Sequence, residues 1–381
     1  MPTAGPFPRL LEFALRERAA QFAVVALTGP RQSGKTTLAR RTFPGHAYLS
    51  LEQPDVREFA ERDGRAFLAA LPREGAILDE VQRVPQLLSW LQGSIDADPR
   101  PGRLVLTGSH AFELMAPVTQ SLAGRAALLN LLPLSLAELR AGGLDLGTDA
   151  LLLRGGYPRI HAEGLDRAVV LADYYATYVE RDLRQLLELR NLAEFGRFVR
   201  LAAGRVGQVL NLQSLAADVG ISGHTAKAWL ALLEAGFLVR RLEPWFRNLG
   251  KRLVKAPKLY FTDTGLAAWL IGIRGEAQLA THPLRGALFE NLVVMEFFKH
   301  ALNRGQRPAL NFYRDSSGLE CDLVVEQGLA PGELGLVEAK SAQTFHPEHL
   351  RAMGRVCGIV GPEHFARRML VMDGRLNIVR D

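Results

Sequence analysis

The sequence predicts an α/β protein built in consecutive units. A parallel sheet with helices on both faces comes first, then a helical segment, a helix-turn-helix closed by a β-hairpin, and a second α/β unit. Three observations carry this prediction. Apolar runs that end in polar residues alternate with helical patterns across residues 1–140. The stretch "LQSLAADVGISGHTAKAWLALLEAG" has the spacing of two helices joined by a glycine turn. The last part of the chain reads helix, three strands, helix, strand. The expected divisions are 1–140 for the first sheet, 141–194 for a helical lid or linker, 195–265 for the winged helix and 266–381 for the rear unit.

Bulk properties narrow the class. A chain of 381 residues is too long for one ordinary core. Its 48% hydrophobic and 23% charged content fits a folded soluble protein, not a disordered one. No apolar run approaches the roughly 20 residues a membrane-crossing helix needs, and "MPTAGPFPRLLEF" lacks the basic-then-apolar pattern of an export signal. A cytoplasmic location without membrane contact is expected, with Cys321 and Cys357 as plain thiols. The formal charge is +6, and residues 240–258 hold seven basic residues and one acidic residue, which equals the whole excess. That stripe, with Trp245 and Phe246 inside it, is a candidate polyanion contact, the alternative being a solvated surface.

In the front third, "FAVVALT" (22–28) reads as a buried strand and leads directly into "GPRQSGKT". The candidate cradle is Gly29, Pro30, Arg31, Gln32, Ser33, Gly34, Lys35 and Thr36, followed by Thr37 at the start of "TTLARRTF". Glycines let backbone N–H groups approach phosphates closely, and the helix start favours an anion. Lys35 reaches β- and γ-phosphates, and Thr36 offers a hydroxyl to Mg²⁺. A second strand, "GAILDEV" (75–81), ends in Asp79 and Glu80. Asp79 suits Mg²⁺ and Glu80 suits polarising a water; the alternative is an acidic helix start. A third strand, "RLVLTGSH" (103–110), places Thr107, Ser109 and His110 at the edge facing a ligand crevice. Helical patterns lie between the strands, over 55–71 and 84–95. Arg125 precedes a further strand and reads either as a finger for a neighbouring subunit or as a structural ion pair. Arg154, Arg159 and Arg181 in the lid are expected near a nucleotide or paired with local carboxylates.

Ser222, His224, Thr225 and Lys227 fall at the exposed start of the second helix of the helix-turn-helix. With Arg247, Lys251, Arg252 and Lys255 of the basic loop they form a candidate DNA contact. The alternative is a packing module between domains.

In the rear third, "LRGALFENLVVMEFFKHA" (284–301) is an amphipathic helix carrying Glu290, and strands follow at 309–315, 319–326 and 334–340. Asp322 sits in the second strand; Glu338 and Lys340 share one face of the third. Converging carboxylates attract Mg²⁺ or Mn²⁺, and a compact ammonium orients water without filling the metal pocket. This order and these residues resemble the restriction-endonuclease-like fold and its PD-(D/E)xK constellation, with Glu290 as supporting acid. "GLECD" departs from the Pro-Asp spelling and lets Glu320 compete with Asp322. An inactive remnant is the alternative.

Taken together, "LTGPRQSGKTTLARR", "AILDEVQRVPQLL", "LTGSH", "SLAGR", "LLPLSLAEL", "GGYP" and "YVERDL" resemble AAA-type ATP-binding proteins of bacteria and archaea with a C-terminal nuclease-like domain of unknown function. The resemblance covers about residues 8–373. It implies a P-loop NTPase sheet of AAA type, ATP and Mg²⁺ dependence, and a winged helix before the nuclease-like unit. His110 departs from the Gln or Ser common in relatives. The expected function is an ATPase whose nucleotide state controls a DNA-binding half with a candidate cutting site. Two alternatives stand beside it: a nucleotide-dependent switch or assembly protein with an inactive nuclease-like domain, and a ring-forming, homo-oligomeric DNA-remodelling motor.

Overall fold

The structure, a computed structural model, describes residues 7–109, 124–182, 191–245, 256–326 and 334–374. His110, Arg247, Lys251, Arg252 and Lys255 lie outside the described residues, as does the side chain of Arg181.

Five parallel strands form the front sheet: β1 (Val24–Thr28), β2 (Ala47–Ser50), β3 (Ala76–Asp79), β4 (Leu104–Gly108) and β5 (Ala126–Asn130). Their spatial order is β2-β3-β4-β1-β5. Every residue of β1, β3 and β4 is buried. Helices cover both faces of such a sheet, so the interior strands read as continuous apolar runs. The edge strand β2 is mostly uncovered and has no such run.

Helices α1 (Leu11–Ala19), α2 (Lys35–Thr42), α3 (Pro54–Arg62), α4 (Gly64–Ala69) and α5 (Leu87–Ala97) flank this sheet. The helical pattern over 55–71 is two helices rather than one. Asp63 ends α3 and caps α4 by accepting the Ala66 N–H at 2.9 Å.

Next come α6 (Leu136–Ala141), α7 (Thr148–Arg154), α8 (Pro158–Ala162) and α9 (Arg167–Tyr174), which runs into a π-helical stretch, Tyr175–Asp182. Two helices joined by a glycine turn follow at the place of the expected helix-turn-helix. After α10 (Leu192–Ala203), α11 (Leu212–Val219) is capped by Asn211 and ends at Gly220, whose φ of 87° suits a glycine. Ser222 then caps α12 (Gly223–Ala235) by accepting the Thr225 N–H.

The strands β6 (Val239–Pro244) and β7 (Lys258–Phe261) pair as an antiparallel hairpin. The hairpin does not stand apart as a wing. Glu243 and Pro244 pair in parallel with Asn311 and Phe312 of β8 (Leu310–Arg314), so the hairpin continues into a six-stranded sheet. That sheet is completed by β9 (Glu320–Val325), β10 (Leu334–Lys340) and β11 (Phe365–Met372), in the order β11-β10-β9-β8-β6-β7. Helices α13 (Thr264–Leu270), α14 (Glu276–Ala280), α15 (Arg285–Asn303) and α16 (Arg351–Val360) complete the rear, in the expected helix, three strands, helix, strand order.

The basic stripe is not one surface. Trp245 is buried against Tyr313, Cys321 and Met353, and Lys258 is buried at 1% exposure. Arg240 is half-buried over the Phe237 ring, and Arg241 is paired with Glu234 at 2.7 Å. Alternation along β6 and β7 sends part of this charge inward, which a charge count along the chain does not distinguish. Both cysteines are buried free thiols. No described helix is long and apolar enough to cross a membrane.

Candidate functional site

The front site is built where β1 meets α2. Gly29 has φ 154°, and a Cβ there would lie 2.1 Å from the Leu131 carbonyl oxygen, so no larger residue fits the turn. Gly34 has φ 91° and Gln32 φ 59°, giving the loop its inward curl. Lys35 is buried and donates to the Gly29 and Pro30 carbonyls, at 2.9 and 2.8 Å. Burial pulls its pKa down to about 8, against the charges of Glu80 and Asp79. The Ser33 hydroxyl is buried in the same loop with no partner. Arg31 reaches Glu52 at 3.3 Å, and Thr37 continues the first turn of α2.

At the end of β3, Asp79 gathers hydroxyls. Thr36 donates to it at 2.9 Å, Tyr48 at 2.8 Å, and Thr107 also donates to it. Glu80 has φ 57°, a left-handed conformation uncommon outside glycine and a mark of functional sites. Its carboxylate accepts from Ser109 at 2.8 Å and from Gln82.

Thr36 and Asp79 therefore present adjacent hard oxygens, the donor type Mg²⁺ takes. With an orphaned hydroxyl and an ammonium turned onto loop carbonyls nearby, these residues fit a Mg²⁺–triphosphate. All the predicted front residues in the described set come together except Arg125. Arg125 lies at the opposite edge of the sheet, beside the start of β1, and is paired with Asp96 at 2.6 Å. In the lid, Arg159 is paired with Glu163, and Arg154 is exposed.

Three residues that sequence reasoning missed hold this site. Arg9 is buried; it donates to the Ser33 carbonyl at 2.5 Å, to the Leu132 carbonyl at 2.7 Å and to Glu138 at 3.0 Å. Burial lowers its pKa, while Glu138 opposes that shift. Tyr48 comes from the inconspicuous edge strand β2. Tyr178, in the π-helical stretch, places its hydroxyl within hydrogen-bond distance of the Gly236 carbonyl, at 2.9 Å, and the Ser109 carbonyl, at 3.1 Å, which share its single proton. Tyr178 is the first residue of "YVERDL", but no local spacing announces its partners.

At the rear, Glu290, Asp322 and Glu338 do lie close together, but not as three free metal ligands. Glu290 accepts from Lys258 at 2.8 Å and from Tyr260 at 2.6 Å. Lys258 also contacts Glu320 at 2.5 Å and Asp322 at 3.8 Å. Asp322 accepts the Ala339 N–H at 2.9 Å. Lys340 bonds one oxygen of Glu338 at 2.5 Å, while the other oxygen is buried without a partner.

Burial pushes Glu290 up to about 7 despite Lys258, and burial plus the Asp322 charge raises Glu338. Burial alone would lower Lys258, but its carboxylate neighbours outweigh that and hold it above the ordinary lysine value. Among the described residues, no group of three or more His, Cys, Asp or Glu side chains is placed to hold a metal ion. The rear residues as arranged do not fit the expected Mg²⁺ or Mn²⁺. The reason is that Lys258, read in the sequence as part of a surface stripe, is inside the cluster.

On the helix-turn-helix, Ser222, His224 and Lys227 are exposed at the start of α12, and Thr225 is half-buried.

Comparison with known proteins agrees with the front site. A family model described as an AAA domain matches residues 21–140. Two domains of unknown function, DUF8612 and DUF4143, match 147–277 and 285–381. A Walker-type ATPase of Pyrococcus abyssi is a distant structural neighbour, with 16% identity and a TM-score of 0.44, over 68% of this chain and 94% of that one. Uncharacterized proteins of Mycobacterium tuberculosis (strain H37Rv) and Mycobacterium bovis are each 34% identical over 318 residues, 82% of this chain and 69% of theirs. The chain belongs to one family with these two mycobacterial proteins, and its residues 21–140 match an AAA domain.

Proposed function

We propose that this ATPase is a nucleotide-dependent switch: its nucleotide state sets the position of the helix-turn-helix, which contacts DNA, while the rear unit serves as a scaffold that does not cut. The observation that supports this reading is the Tyr178 hydroxyl, whose one proton is shared between two carbonyls. One acceptor, the Ser109 carbonyl, belongs to the residue whose side chain holds Glu80. The other, the Gly236 carbonyl, ends α12.

In the bound state Lys35 turns from its own loop carbonyls to the phosphates, and Glu80 leaves Ser109 to polarise the attacking water. Thr36 and Asp79 are the side chains that would hold Mg²⁺, which would supply positive charge to offset that of the phosphates. Movement of Ser109 shifts the anchor of Tyr178, and with it the end of α12. The exposed Ser222, His224 and Lys227 support α12 as the contacting helix. Arg125, needed by a ring motor as a finger, is engaged by Asp96, so the switch is favoured over the motor.

The test pairs ATP turnover with DNA retention on linear, branched and single-stranded DNA. Lys35→Ala lowers turnover at least about a hundredfold, and wild type retains DNA differently with ATP and with ADP. Equal retention in both states, or retention indifferent to changing His224 and Lys227 together, removes the switch reading. Metal-dependent loss of the DNA itself restores the nuclease.

A further inference from the structure

We propose that the rear carboxylate cluster carries its own cation: the ammonium of Lys258 stands where a divalent ion would sit and closes the cluster to metal. Three carboxylates from two elements surround it, Glu290 on α15 and Glu320 and Asp322 on one face of β9. An ammonium has three N–H donors. The contacts to Glu290 at 2.8 Å and Glu320 at 2.5 Å engage two of them. The Phe312 ring lies 5.6 Å from the charge and adds a weaker attraction. Tyr260, one pleat along on the same face of β7, donates to the Glu290 oxygen that Lys258 already holds.

A magnesium-like ion requires about six oxygens near 2.0–2.1 Å in an octahedral shell. The inner half of this cluster has no room for that shell while the ammonium is present: it engages one oxygen each of Glu290 and Glu320, and Arg314 holds the other Glu320 oxygen. Among the described residues, the outer half offers Asp322 and Glu338, with Lys340 bonded to the latter. The residue type suits the task. A guanidinium fork is broad and planar, whereas an ammonium is compact. This chain uses lysine at only seven positions, and two of those lysines stand in this cluster. Because Lys258 is on β7, it also ties the helix-turn-helix hairpin to α15 and β9.

The experiment is Mn²⁺ titration of the nucleotide-free full chain, followed by electron paramagnetic resonance, in an Asp79→Asn background that silences the front site. With Lys258 present, no Mn²⁺ binding that Glu338→Gln removes is expected up to millimolar metal. Lys258→Met is expected to bind Mn²⁺ at least about tenfold tighter, and adding Asp322→Asn is expected to abolish that gain. Saturable binding by the lysine-bearing chain that Glu338→Gln eliminates overturns the proposal. So does a folded Lys258→Met chain that binds no better than its parent. The first arm needs no lysine variant and is decisive even if Lys258→Met does not fold.

Discussion

Lys35 is buried with its charge turned onto two carbonyls of its own loop, near the carboxylates of Glu80 and Asp79. Burial brings its pKa to about 8. A triphosphate favours the charged form and restores it. The sign follows. Below about pH 7 the lysine is charged with or without nucleotide, and affinity is insensitive to it. As pH rises through 8 toward the ordinary lysine value, the free chain loses the proton and the complex keeps it. Nucleotide affinity then falls, by up to about tenfold per pH unit, and binding takes up a proton. Calorimetry at pH 9 in two buffers of different ionisation enthalpy reads that proton directly; equal heats in both would contradict the assignment. The residues of this site were largely legible because "GPRQSGKT" and "ILDE" spell their chemistry within a few positions. Arg9, Tyr48 and Tyr178 were not legible, since each acts on a segment far along the chain.

Elements are joined here by buried polar ties. Arg9 stands just before α1, Ser33 lies in the loop before α2, and Glu138 is on α6; the arginine joins them by an ion pair to Glu138 and a hydrogen bond to the Ser33 carbonyl. Glu138 also accepts from the Leu10 and Ser135 N–H groups. Removing the arginine leaves a buried carboxylate without its countercharge, so Arg9→Met costs about 3–5 kcal/mol. Adding Glu138→Gln recovers part of that loss, because the two changes share one interaction. Denaturant unfolding measures both; a loss under about 1 kcal/mol for Arg9→Met would make the tie a bystander. The strand and helix alternation was readable from apolar periodicity. The merging of the hairpin with the rear sheet was not, since it rests on the long-range pairing of Glu243 and Pro244 with β8. The inward turn of Lys258 and Trp245 follows from that pairing and was hidden for the same reason.

Across the whole molecule, the lid, the helix-turn-helix and the rear unit share one apolar core, from Leu132 through Tyr178, Trp229 and Phe298 to Val337. Helix α15 also grips the front sheet's exit. Lys299 donates to the Leu134 carbonyl at 2.9 Å, and Glu296 accepts the Leu136 N–H at 2.9 Å. In the proposed switch, a change at the nucleotide reaches α12 through these contacts, with the Tyr178 hydroxyl close to both the Ser109 and Gly236 carbonyls. Tyr178→Phe keeps the ring in the core and removes one hydroxyl, a change of about 1–3 kcal/mol. The most direct measurement is hydrogen exchange over residues 223–239, with and without ATP, in wild type and Tyr178→Phe. The account predicts that ATP alters protection of α12 in wild type, and that the alteration is lost in Tyr178→Phe although ATP still binds. The same nucleotide-dependent change in both chains, or none in wild type at saturating ATP, would contradict it.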